Sequence, residues 1–478
     1  MPQYPIITVN RDIYSDVDNI HYLIPAYSDI VISALNIPDN ILENKVDVKF
    51  RITLFIKGST IATLKTPPIA SIDNDAIFRI QSILQDYTQT DTKGYRDDVN
   101  NSTHNNSSSK MPHSIHQIDR YSRNASNFLR VSITSGYEYR DDATSNLQVV
   151  HNWATGAELN FWNATAQHSL GYLQFSPDTY VLDGITKKFL STFPAKFTNI
   201  TGQRVERTHY HTIAFFLGKV YDVYNSTIGA QAVESEVTDI SVSLFDENFG
   251  LISTEIVPQT QANGGARENA DLPTGTNSLL YFGCGPANLQ NSLTANMNDT
   301  NIKHYTIHAR NSSGGQVSQA YIFNIVENDC KGFETIRLAF LNSLGVYDYY
   351  NFTKKSTRKQ ELQRSTFKSN YGEVRERPGL FETALYYQGT HAGGTRAYNV
   401  NAVETIEANT DFMNETEAAI LEELFLSTDI YMQSNEGDIF EPVVISDTEY
   451  IKQTTANDKL IQYVISIEKA HNTRVQRL

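Results

Sequence analysis

Val46-Asp47-Val48-Lys49-Phe50-Arg51-Ile52-Thr53-Leu54-Phe55-Ile56 is the stretch that decides the fold. Val46, Val48, Phe50, Ile52, Leu54 and Ile56 recur at period two, interleaved with Asp47, Lys49, Arg51, Thr53 and Phe55. Successive side chains of an extended chain point to opposite faces, so this spacing predicts one buried and one wet face, as in an antiparallel sheet over a core. Gly58-Ser59 comes next, then Thr60-Ile61-Ala62-Thr63-Leu64, so the strand is expected to fold back as a hairpin. Ile80, Ile83, Leu84 and Tyr87 then fall at helical spacing behind Asp73 and Asp75, which predicts a short helix crossing the sheet edge.

Outward from this stretch the chain stays β-like. Residues 91 to 112, rich in Asn and Ser, hold almost nothing to bury and are expected to form a mobile surface loop. Leu129 to Thr134 alternates again. Thr208–Leu217, Ile240–Phe245, Leu279–Phe282, Tyr305–Ala309 and Ala320–Val326 follow as strands of a second sandwich-like unit. A strong helical stripe appears from about Glu415 to Leu426, with Ile420, Leu421, Leu424 and Phe425 on one side and Asn414 with Glu417 as a capping box. Ile461, Tyr463, Ile465 and Ile467 then alternate as a last amphipathic strand. The expected class is mainly β: multidomain β-sandwiches with an α+β C-terminal module. Three units are expected, 1–202, 203–330 and 331–478, the first with one short helix.

The 478 residues carry 39 Lys and Arg against 54 Asp and Glu, a net charge of −15 that argues against general nucleic-acid binding. No apolar run reaches the length of a membrane span, and Met1-Pro2-Gln3-Tyr4-Pro5 has no export-signal character. Cys284 and Cys330 are the two cysteines, with no CxxC and no zinc spacing, so neither a disulfide framework nor a metal centre is expected.

His209 and His211 stand two apart, which would put both rings on one strand face, but no third ligand accompanies them; they read as rings on a wet or interfacial face. His113 and His116 border the Asn-rich loop. The neighbouring acids Asp97-Asp98 and Asp141-Asp142 would diverge on a strand, so they read as solvated loop carboxylates rather than a glycosidase pair. Gly283-Cys284-Gly285-Pro286 lacks the Lys-Ser/Thr of a phosphate loop and reads as a turn. No nucleophile elbow, HExxH or kinase-like loop occurs, so no catalytic residue, cofactor or metal is assigned.

Two features point to surfaces instead. Tyr347-Asp348-Tyr349-Tyr350-Asn351-Phe352 is an aromatic cluster suited to an interface, since rigid rings bury much area at small entropy cost. Between Thr353 and Pro378 eight basic residues, including Lys354, Lys355, Arg358, Lys359 and Arg364, face three acidic ones, a balance of +5. Between Asn401 and Pro442 there are eleven acidic residues, among them Glu415, Glu417, Glu422 and Glu423, and no Lys or Arg. Such a module either neutralises itself or meets the opposite face of a second copy head to tail. The interface candidates are therefore Tyr347, Tyr349, Tyr350, the five named bases and the four named acids.

Three segments resemble a family of tailed-bacteriophage virion proteins from marine and Bacteroidota phages. Thr186-Lys187-Lys188-Phe189-Leu190-Ser191, with His211 to Phe216, is similar to a TKKFLT segment followed by a short strand. Glu334 to Asp348, with Phe352-Thr353-Lys354-Lys355-Ser356, resembles the pattern xxRLxFLNxLGxxDxYxFxKKS. Thr416 to Leu424, Pro442-Val443-Val444-Ile445 and Asn457-Asp458-Lys459-Leu460 resemble that family's helix, PVVVT strand and NDKLF turn. The likeness runs from about residue 186 to the end of the sequence and more diffusely before it. It implies a structural component of the virion assembled in the bacterial host cytoplasm, a tail, baseplate or neck adaptor that forms a ring with other copies of itself and anchors fibres or hub proteins, without enzymatic activity. The alternative is a carbohydrate-binding receptor protein of the virion, which would need Trp153 or Trp162 beside Tyr residues in an exposed groove.

Overall fold

A computed structural model describes residues 6–9, 12–13, 21–27, 31–35, 37–56, 58–70, 75–88, 129–152, 157–165, 168–169, 172–173, 177–195, 202–221, 232–235, 237–258, 278–290, 293–327, 333–369, 372–375, 385–388, 393–413, 415–433, 440–447, 462–471 and 474–477. The protein is mainly β, built of several multi-strand sheets. The stretch Val46–Ile56 is one strand, with register shifts at Val46/Lys49 and Leu54/Phe55, and it turns at Gly58 (φ +78°) into Ser59–Thr66, in the hairpin its sequence calls for.

Phe50, Ile52 and Leu54 of that strand are buried. They pack with Val131, Ile133 and Tyr137 of Leu129–Arg140 and with Ile32, Ala34, Ala76 and Phe78 from a separate four-stranded sheet, so two sheets enclose one core. The opposite face is less wet than its pattern suggests. Thr53, Thr134 and Glu138 are buried there too, and Glu138 takes an ion pair from Lys65 at 2.7 Å. The short helix Gln81–Gln85 buries Leu84 in the same core. The 91–112 stretch lies outside the described residues.

A second core forms between the strands Thr212–Tyr221 and Ser278–Gly283 and a five-stranded sheet in the order Gln203–Val205, Tyr321–Ile325, His304–Arg310, Asp239–Phe245, Leu251–Pro258. The second sandwich is thus present. Its core does not begin at residue 203, however: Phe161 belongs to the first core and Trp162 to the second, because adjacent residues of the strand Ala157–Trp162 face opposite sides. Val181, Leu182, Phe189 and Leu190 follow Trp162 into the second core.

Compact units number two rather than the expected three. One comprises Met1–Asn328, Ala339–Tyr349 and Glu436–Asp438; the other comprises Asp329–Leu338, Tyr350–Asn435 and Ile439–Leu478. Both sandwiches lie in the first, where Tyr221 pairs with Tyr22 and links their strands in one sheet across residue 202. The units divide at Asn328/Asp329 rather than at 330/331, and Ala339–Tyr349 returns to the first unit. That segment carries Leu344 and Val346 into the second core of the first unit.

The second unit is α+β. Its strands run in the order Ile430–Gln433, Phe440–Ile445, Val464–Lys469, Gly394–Asn409, Thr357–Ser369, and Arg474–Arg477 also pairs with Gly394–Asn409. The helix spans Glu415–Leu426 as its stripe predicts, with Ala418, Ile420, Leu421 and Leu424 buried. Buried Arg337 donates from Nε to Gln433 (2.8 Å) and from Nη1 to Asn351 (2.7 Å).

Candidate functional site

Asn342 shapes the turn between the strands Ile336–Leu341 and Tyr347–Phe352. Its side-chain oxygen accepts the N–H groups of Leu344 (3.0 Å) and Val346 (3.2 Å), and its own N–H donates to the Val346 carbonyl (2.8 Å). Gly345 sits at φ +76°, and a Cβ there would lie 2.2 Å from the Asn163 carbonyl oxygen, so only glycine fits. The turn is clasped from outside as well: Trp162 Nε1 donates to the Leu344 carbonyl (2.9 Å) and the Thr165 N–H to the Ser343 carbonyl (2.8 Å).

The Asn342 amide nitrogen donates to Asp348 (2.7 Å), a carboxylate buried beside the turn. Asp348 also accepts from Ser191 Oγ (2.6 Å), Thr192 N (2.9 Å) and Thr192 Oγ1 (2.6 Å). Burial pushes its pKa up, and the hydrogen bonds from Asn342, Ser191 and Thr192 work against that rise. Burial likewise raises Tyr321, with the Asp348 charge adding to it. Ser191 of Thr186–Ser191 and Asp348 of Glu334–Asp348, 157 positions apart in sequence and in segments both quoted above for a family resemblance, thus meet at one polar knot inside the first unit.

Two other motifs meet in the same unit. The N–H groups of Cys284 (2.9 Å) and Gly285 (3.1 Å) donate to the His211 carbonyl, and that of Ala287 donates to the His209 carbonyl (3.2 Å). Asn288 returns the contact, accepting the His211 N–H at 2.9 Å. A Cβ at Gly285 would fall 2.4 Å from the His211 nitrogen. The Gly-Cys-Gly-Pro turn therefore leads into the short helix Pro286–Leu289 and braces the histidine segment. Both histidines are buried within the unit, where a wet or interfacial strand face was expected. His209 Nδ1 accepts the Glu206 N–H (3.0 Å) in a turn ahead of the strand, which starts at Thr212, and the His211 ring packs on Tyr349 (4.3 Å between centroids) and Phe323 (5.1 Å).

The interface candidates separate into three groups. Tyr347 and Tyr349 are buried and Tyr350 is half-buried with its ring on Phe352, so the aromatic cluster belongs to cores rather than to a surface. Tyr349 OH pairs with Thr212 Oγ1 at 2.9 Å. The basic run finds acids within its own unit. Lys354 pairs with Asp411 (3.2 Å), Arg358 with both Glu334 (2.6 Å) and Glu404 (3.1 Å), and Lys359 with Glu407. Cross-strand register produces this neutralisation, because Arg358 stands opposite Ile406 and Lys359 opposite Thr405, each one diagonal step from its acid. Lys355 and Arg364 make no ion pair among the described residues. Glu422 and Glu423 are half-buried on the Glu415–Leu426 helix; Glu415 and Glu417 lie in its first turn, their side chains outside the described residues.

Trp162 is buried, so it lines no exposed groove, and Trp153 lies outside the described residues with His113, His116, Asp97, Asp98, Asn414 and Cys330. Asp141 pairs with Lys45 at 2.7 Å, while Asp142 caps the next turn through Thr144 and Ser145, bonds that hold its pKa at about 2. Cys284 is buried. Among the described residues no three His, Cys, Asp or Glu side chains are grouped to hold a metal, and no helix is long and apolar enough to cross a membrane.

No protein-family profile and no curated protein matches this chain. The solved native conformation of E. coli alpha-2-macroglobulin, determined by cryo-electron microscopy, is similar at 8% identity over 85% of this chain and 22% of that one, with a TM-score of 0.17. The chain thus spans about a fifth of that protein's length, and a likeness at that score identifies neither fold nor function.

Proposed function

We propose that this protein is a structural component of a tailed-phage virion, a tail, baseplate or neck adaptor that assembles with copies of itself and seats fibre or hub proteins. The observation that carries the reading is the fate of its most distinctive residues. Asn342, Gly345, Asp348, Ser191 and Thr192 all serve a buried turn, and Arg337 serves a buried polar pairing in the second unit. Residues spent on packing and internal hydrogen bonds build rigid shape, and a rigid shape with modest contacts becomes a stable assembly once ring symmetry repeats it. A non-enzymatic scaffold role follows from the same reasoning. The test is the composition and reconstruction of particles made by the phage that encodes this sequence. The expected result is the chain present at several copies in rotationally symmetric density at the tail or neck; particles that lack it overturn the reading.

A further inference from the structure

The strand Leu251–Pro258 ends the five-stranded sheet of the second core, pairing with Asp239–Phe245 on one side and with nothing on the other among the described residues. An open row of N–H and C=O groups invites a further strand, and sheets blunt such edges with charged side chains, above all lysine, or with proline. Between Leu251 and Val257 no Lys, Arg or Pro occurs. The one charge there, Glu255, is spent within the chain, accepting from Thr294 N (2.6 Å), Thr294 Oγ1 (2.7 Å) and Ala295 N (2.8 Å). The edge shows solvent apolar side chains instead: Leu251 is 61%, Ile252 47% and Ile256 51% exposed, with exposed Thr254 between the two isoleucines. A bulge leaves Ile252 without a partner across the ladder, since Leu244 stands opposite Ser253 and Phe245 opposite Leu251.

Register identifies the occupant. A two-fold axis perpendicular to the sheet pairs two such edges antiparallel about a residue that faces its own copy, and it keeps both exposed faces on one side. About Thr254, Ile252 stands against Ile256 on each side of the axis, Ser253 against Glu255 and Leu251 against Val257, with no like charges opposed. About Ser253, Leu251 meets Glu255 and Ile256 meets Gly250, so the apolar pairs are lost. About Glu255, two carboxylates oppose each other and Ile252 meets Pro258. Centres at Leu251, Ile252, Ile256 or Val257 run within two residues into Pro258 or into the turn in which Gly250 donates to Asp246 (2.7 Å). A two-fold along the strands would pair them parallel and bring one copy's exposed face level with the other's core side. The Thr254 register alone matches apolar with apolar along the edge.

We infer that Leu251–Val257 is a docking edge for a second copy of this chain, paired antiparallel about Thr254 so that Ile252 of each copy packs against Ile256 of the other. The contact goes beyond the virion reading and does not depend on it: being isologous, it joins copies in pairs, and in a ring assembly it ties one ring to another. The test is sedimentation of the full chain over a concentration series for the wild type, Thr254→Lys and Thr254→Glu, their folds compared by circular dichroism. Thr254 is exposed and its hydroxyl pairs with that of Ser243 (3.0 Å), so both changes stay at the surface. Expected are a wild-type dimer at high concentration and association at least about tenfold weaker in each variant, because like charges then meet on the axis. Mixing the two variants should restore pairing close to that of the wild type, since Lys then faces Glu. Recovery on mixing reads the register, as only a residue on the axis faces its own copy. Three results overturn the inference: a wild type monomeric at every concentration, variants that associate like the wild type, or a mixture that pairs no more tightly than either variant alone.

Discussion

Asp348 is the residue whose chemistry is most constrained. Four donors converge on a buried carboxylate, so removing it leaves buried donors unsatisfied. Asp348→Ala is expected to cost about 2–4 kcal/mol in urea unfolding, because several buried neutral donors lose their acceptor. Asp348→Asn keeps the shape and some of the bonds and should cost less, about 1–3 kcal/mol. Its pH signature is directional. Burial raises the folded pKa above the unfolded value near 3.8, so above that value the folded state holds the proton more firmly. The contribution of this group is therefore fullest below about pH 3.8 and is lost as pH rises through the folded pKa. Measured against Asp348→Asn, wild-type stability should fall with rising pH in that window; an unchanged difference would mean that the carboxylate titrates normally.

At the scale of elements, the helix Glu415–Leu426 was legible because its apolar positions follow the helical period without interruption. Leu421 is wholly buried and Leu426 is 74% exposed, which makes the helix a two-sided control. Leu421→Ala should destabilise the chain by about 2–5 kcal/mol, and Leu426→Ala by no more than about 0.5 kcal/mol, in the same denaturant titration. The hairpin at Gly58 was equally legible, since local turn chemistry and period two agree. Histidine spacing was misleading for the converse reason. Two rings two apart on a strand would share one face, but His209 and His211 precede the strand, held by Asn288 and by the turn at Gly285, contacts made far along the sequence. Nothing local distinguishes such a segment from a strand end.

For the whole molecule, the informative departure is the division of the chain. A polypeptide ending at residue 330 would match a boundary drawn from composition, but it would lack Leu344, Val346 and Asp348. Trp162 Nε1 would then have no acceptor at Leu344, and the second core would lose part of its lining. Such a chain is expected to melt earlier and less cooperatively than the first unit of the intact protein and to bind a hydrophobic dye. A cooperative, dye-free 1–330 fragment would show that the inserted hairpin is dispensable. Composition cannot reveal an insertion of this kind, because a strand that crosses between units is as apolar and alternating as one that does not.

Period, turn residues and charge counts were enough to settle that the chain is mainly β, where its longest amphipathic strand turns, where its C-terminal helix lies, and that acids and bases are concentrated in the last third. These are local or additive properties, legible without knowing what packs on what. Only the tertiary structure decided which opposite charges neutralise each other, that the Tyr347–Phe352 aromatics are core, that Thr186–Ser191 meets Asp348, and that Ile252 and Ile256 stay on an open edge. Each depends on strand register or on contacts between residues far apart in sequence, and a one-residue change of register moves a strand's side chains to its other face.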